Sequence, residues 1–191
     1  MRIDAVVLAA GRGSRMGRPK HLLPIEGIPM LDRVVSALSR SGVRESLVVV
    51  AQGDEEGRQR AASLGTRPVL AEDPHEGRAA SVRAGVRALR ADCEGVMFAL
   101  ADQPFLLPGD FGALVARFER ADAGLVFATY EGRRGTPVLF STSYRDELLA
   151  LRGREGGRVV LARHAADAAD VPLPPERGRD VDRPEDLVQP R

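Results

Sequence analysis

Short apolar runs alternate along this chain with stretches whose apolar residues recur at helical spacing. Residues 4–10 (DAVVLAA) form an almost continuous apolar run, the pattern of a strand covered on both faces. The run stops at Gly11, and residues 11–24 carry neither period, so a loop is expected there. Pro29 then opens a helix whose positions Leu31, Val34, Val35 and Leu38 share one face. Further strands are expected at 47–51, 67–71, 95–101 (GVMFALA), 124–129 and 137–140, with an edge strand at 170–173. Helices are expected at 54–64, 79–89, 110–120, 144–151 and 156–164. This alternation predicts an α/β fold: a three-layer α/β/α sandwich around a mostly parallel sheet. No repeat, low-complexity linker or shift of composition divides residues 1–191, so one domain is expected.

In such sheets ligands bind beyond the carboxyl ends of the strands. Attention therefore falls on the loops after Ala10 and Ala101. Residues 11–20 read GRGSRMGRPK. Glycines 11, 13 and 17 let backbone N–H groups converge on an anion, and Arg12, Arg15, Arg18 and Lys20 add four cations with no acid. That composition fits a polyphosphate. The spacing is neither the Walker loop, since Pro19 precedes Lys20 and His21 follows it, nor the dinucleotide fingerprint.

Composition sharpens one residue. Of 28 basic residues 27 are arginine, and Lys20 is the one lysine. A compact ammonium at this point suggests a place where a planar guanidinium does not serve, although a lone lysine can also persist by chance on a solvated loop. Asp102, in Asp102-Gln103-Pro104, closes an apolar strand at the expected ligand edge. It can bind a hard cation such as Mg²⁺ or form a turn before proline. His21, His75 and His164 are isolated, with no zinc or triad spacing, and read as surface or loop residues.

The remaining composition excludes classes. A net charge of +1 gives no global field for nucleic acid or an anionic membrane. A single cysteine, Cys93, suits a reducing compartment. The acidic Asp4 after Met1-Arg2-Ile3 and the short apolar run that follows argue against a signal peptide, and no apolar stretch reaches membrane-spanning length. A cytoplasmic protein is expected.

The segment from Leu8 to Lys20 resembles the L-A-A-G-x-S-x-R-M-G-x-x-K signature of the molybdenum cofactor cytidylyltransferase group. That group lies within the NTP transferases of glycosyltransferase-A, Rossmann-like fold. Arg15, Met16, Gly17 and Lys20 are in register; Gly13 and Ser14 fall in a variable loop centre. The resemblance implies nucleotide binding by Leu8, Ala9, Ala10, Gly11, Gly13, Ser14, Arg15 and Lys20. It continues through residues 73–85, where it implies a place for Ser81 beside the base; Ser81 also reads as an ordinary first-turn polar residue. Arg78 stands there in place of the usual methionine. Asp102-Gln103-Pro104 is similar to the family's metal motif. Arg134, Gly135 and Pro137 lie in a segment similar to R-G-x-P-V-L-F, which implies the acceptor side.

The closing D-V-D-R-P-E-D-L resembles D-I-D-T-P-E-D-L and implies Asp182 as second metal ligand. Asp182 and Glu185 also have capping-box spacing. Residues 153–158, GREGGR, depart from the family's G-D-x-G-A-R: Arg154 replaces the aspartate, with Glu155 beside it. Ala10, as in L-A-A-G rather than L-A-G-G, favours CTP over GTP.

The implied chemistry is transfer of a nucleoside monophosphate to a phosphorylated small molecule, molybdopterin above others, with Arg15, Lys20 and Asp102 in catalytic roles and Mg²⁺ as cofactor. The same chemistry on a sugar or alditol phosphate, and a non-catalytic nucleotide-binding module, remain as alternatives. A molybdoenzyme or its chaperone is a possible partner.

Overall fold

The computed structural model describes residues 1–11, 19–71, 77–120, 122–182 and 186. Seven strands form the central sheet in the order β5-β4-β1-β6-β8-β7-β9. They are β1 (Ile3–Leu8), β4 (Glu45–Val50), β5 (Arg67–Leu70), β6 (Gly95–Leu100), β7 (Leu125–Tyr130), β8 (Arg133–Ser141) and β9 (Ala168–Pro172). Pairings β1–β4, β1–β6, β4–β5 and β7–β9 are parallel; β8 alone runs against its neighbours β6 and β7. A small ribbon, β2 (Pro24–Ile25) with β3 (Ile28–Pro29), stands apart.

Side chains of each strand alternate between two apolar layers. Ile3, Ala5 and Val7 of β1 pack with α1 (Met30–Leu38), α2 (Glu55–Ser63) and α4 (Pro108–Phe118) through Leu31, Val34, Ala61, Phe111 and Leu114. Val6, with Val49 and Phe98, faces α3 (Arg78–Arg87), α5 (Arg145–Ala150) and α6 (Gly157–Arg163) through Val82, Leu148 and Val160. Asp4 is fully buried at the start of β1, and Arg44 offsets that cost with a two-pronged contact of 2.8 and 2.7 Å.

The expected alternation holds, with boundaries displaced by one or two residues at most elements. The largest difference is at 133–141, where one nine-residue strand replaces the expected four-residue strand at 137–140. The cause is a two-residue hairpin. Glu131 and Gly132 take φ values of 50° and 76°, as a type I′ turn requires, and pair Tyr130 with Arg133. That turn makes β8 antiparallel. Among the described residues no helix is long and apolar enough to cross a membrane.

Candidate active site

The carboxyl ends of β1 and β6 open onto two adjoining cavities. The smaller, about 320 Å³, is lined by Ala10, Gly11, Gln52, Gly77, Ser81 and Asp102, among others. The larger, about 660 Å³, has an apolar floor that includes Phe98, Val138 and Phe140. Its rim carries Arg133, Arg134, Arg154 and Arg158. Leu8, Leu100 and Arg78 line both.

Lys20 lies in a 3-10 turn, Lys20–Leu22, whose buried His21 and Leu22 anchor it. Its ammonium donates to Asp102 Oδ2 at 2.8 Å and to Asp182 Oδ1 at 2.7 Å. Burial alone would lower the Lys20 pKa, but hydrogen bonds and charge from the two aspartates outweigh it and raise the value above that of an ordinary lysine. The two carboxylates meet although 80 residues of sequence separate them. Asp102 sits one turn beyond β6, whereas Asp182 arrives on the closing segment. Val181, fully buried against Ile25, Met30 and Phe105, pins that segment, and its N–H donates to the Asp102 carbonyl at 2.9 Å.

Alternation about Val181 sends Asp180 the other way. Gln103 Nε2 donates to Asp180 Oδ1 at 2.9 Å and to the Gly178 carbonyl at 3.1 Å, while Gln103 Oε1 accepts from Thr136 Oγ1 at 2.6 Å. One buried amide thus ties the end of β6 to β8 and to the closing segment. Burial raises the Asp180 carboxyl, as do the charges of Asp102 and Asp182, against the Gln103 hydrogen bond and Lys20.

The expected residues fall as follows. Leu8, Ala10, Gly11, Ser81 and Asp102 line the smaller cavity, while Ala9 is buried in the core beneath it. Arg134 and Gly135 line the larger cavity; Pro137 is not among its lining residues. Gly13, Ser14, Arg15 and His75 lie outside the described residues. One histidine expectation is corrected, that for His21, while His164 lies in a turn as expected. His21 is buried beside Asp54, whose Oδ2 is 3.2 Å from Nε2. His164 is half-buried, its ring against Tyr144 and its Nε2 2.6 Å from Glu147 Oε1. Gln103, Asp180 and Thr136 had no expected role. Only the Asp102-Gln103-Pro104 triplet hinted at the first of them.

The donor set is that of a hard cation: two carboxylates converging where one positive charge already sits. Among the described residues no group of three His, Cys, Asp or Glu side chains is placed to hold a metal alone.

Residues 5–169 match the MobA-like NTP transferase domain. The chain belongs to that family. A molybdenum cofactor guanylyltransferase from Rhodobacter capsulatus is 33% identical over 99% of this chain and 95% of the relative. A 2-C-methyl-D-erythritol 4-phosphate cytidylyltransferase from Pelotomaculum thermopropionicum is 39% identical over 60% of this chain and 50% of its own length. Among solved structures, Rv0371c from Mycobacterium tuberculosis H37Rv is 26% identical with a TM-score of 0.85, covering 97% of this chain and 96% of its own. The MobA-like fold therefore extends over nearly the whole chain, and the two cavities open at the carboxyl ends of β1 and β6.

Proposed function

We propose that this MobA-like transferase moves a nucleoside monophosphate, CMP before GMP, from an NTP to a phosphorylated small molecule, molybdopterin first among candidates, with release of pyrophosphate. The observation that carries this reading is the Lys20 ammonium held between Asp182 and Asp102, the latter on the wall of the smaller cavity. A donor nucleotide suits the smaller cavity, between Gly11, Ser81 and Asp102. An anionic acceptor suits the larger, beneath the arginine rim.

Asp102 and Asp182 would hold a divalent ion, Mg²⁺ by preference, which when bound neutralises phosphate charge. Lys20, together with Arg15 in the loop, serves the β- and γ-phosphates and the departing pyrophosphate. Arg134 and Gly135 serve the acceptor side. The nucleophile is already a phosphate anion and needs no general base. Tyr130 is no candidate for one, since burial and the charges of Asp110 and Asp180 push its phenol up and keep it protonated. Catalysis then consists of positioning and charge neutralisation.

Ala10 on the wall of the smaller cavity supports CTP, because a methyl group narrows the slot for the base. The guanylyltransferase relative supports GTP as the second reading. The erythritol phosphate relative supports a polyol phosphate as second acceptor. The test is pyrophosphate release with Mg²⁺, each NTP in turn, and molybdopterin or 2-C-methyl-D-erythritol 4-phosphate. Release that needs both NTP and acceptor supports transfer. Nucleotide binding without release, whatever the acceptor, leaves a binding module.

A further inference from the structure

Transfer between two phosphorylated molecules brings two anions together, and their repulsion must be offset where they meet. In this protein that place is the wall shared by the two cavities. Among the described residues Leu8, Leu100 and Arg78 form it, and Arg78 alone is charged. Lys20 lines neither cavity.

The backbone is built to put a long cation there. Arg78 is the first residue of α3, and Gly77 before it takes φ 66°. A Cβ on Gly77 would come within 2.9 Å of the Gly153 carbonyl, so the start of α3 docks directly on the loop at residues 153–156. The Ala79 N–H seals that contact by donating to the same carbonyl at 3.1 Å. Gly156, facing it, leaves room for the arginine stem: a Cβ there would lie 2.9 Å from Arg78 Cδ. Arg78 is exposed and forms no ion pair with any described residue.

We infer that Arg78 is a catalytic residue. Its guanidinium touches both the donor α-phosphate and the attacking phosphate of the acceptor, and offsets the repulsion between them as they close. Gly156 is its positioning residue. The guanidinium takes no proton and forms no bond. The acceptor oxygen bonds to the α-phosphorus as the bond to the pyrophosphate oxygen breaks. This inference rests on the proposed transferase reaction.

The full-length protein is assayed with Mg²⁺, the NTP it uses, and molybdopterin or 2-C-methyl-D-erythritol 4-phosphate. Arg78→Gln is expected to lower turnover by about 10²-fold and to weaken affinity for the nucleotide alone by far less. Arg78→Lys is expected to recover much of the loss. Gly156→Ala, which crowds the arginine stem, is expected to reproduce part of it. The second readout is acceptor affinity with and without an α,β-methylene nucleotide analogue. In Arg78→Gln the analogue is expected to weaken acceptor binding at least about tenfold more than in the wild type, because the two anions then repel unscreened. Wild-type turnover and wild-type coupling in Arg78→Gln overturn the inference. So does a loss of nucleotide affinity as large as the loss of turnover, which assigns Arg78 to the donor alone. A wild-type protein that releases no pyrophosphate with any combination overturns the transferase reading, and this inference with it.

Discussion

Lys20 Nζ lies 2.7 Å from Asp182 Oδ1, which joins the end of the first glycine loop to the closing segment of the chain. The contact completes a cluster whose other arm, Asp102, lies 2.8 Å from the same nitrogen. One ammonium thus sits between two carboxylates as a compact point charge, a geometry that a planar guanidinium does not reproduce.

Lys20→Arg is therefore expected to lower turnover at least about tenfold, near 1.4 kcal/mol, although charge is conserved. Steady-state kinetics checks this. Unchanged kinetics would mean that the only lysine in the chain is incidental.

The aspartates are expected to matter to chemistry more than to folding. Asp102→Asn and Asp182→Asn each keep shape and remove charge, and each is expected to slow single turnover by about 10²–10⁴ with little change in melting temperature. Val181→Ala offers a contrast. It empties the small core of Ile25, Met30 and Phe105 that aims Asp182. It is expected to lower both stability and turnover, and thermal melting beside single-turnover rates separates the two patterns.

Asp180 is expected to show the opposite sign. Its carboxyl is raised by burial and by Asp102, so the folded protein holds that proton to higher pH than the unfolded chain. Stability is then lost as pH rises through the interval between the unfolded and folded values, and the ionised group is a burden at pH 7. Asp180→Asn keeps an acceptor for Gln103 and removes the charge. It is expected to raise the melting temperature at pH 7 more than at pH 4. A gain independent of pH would contradict the assignment.

Gln103→Leu removes three hydrogen bonds from a side chain that is 5% exposed. A loss of about 1 kcal/mol is expected, because Thr136 and Asp180 lose their partner but keep access to water. Acceptor KM is expected to rise with it, since the larger cavity is lined by the same three residues. Denaturant unfolding and acceptor titration check both.

Much of this was legible in the sequence because the signals are local. Apolar runs ending at Ala10 and Ala101 marked the strand ends where the cavities open, and a lone lysine among 27 arginines singled out Lys20. What stayed hidden depends on distant chain segments meeting. The antiparallel course of β8 follows from a Glu131-Gly132 turn that lacks the usual Asn-Gly or Asp-Gly signature. His21 is buried because Gly57 has no side chain; a Cβ there would lie 2.5 Å from His21 Nε2. Arg78 looked like a mere departure from the family pattern, and its place on the shared wall emerges only once α3 docks on the loop at residues 153–156.

The central claim is transfer of the α-phosphoryl group onto an acceptor phosphate. A single-turnover reaction with NTP labelled at the α-phosphorus, Mg²⁺ and molybdopterin or 2-C-methyl-D-erythritol 4-phosphate, resolved by mass spectrometry, tests it most directly. The expected result is one pyrophosphate for each product carrying the labelled nucleoside monophosphate in a diphosphate bridge, with that product abolished in Asp102→Asn. Label recovered only as free nucleoside monophosphate, or remaining in intact NTP, would contradict the account.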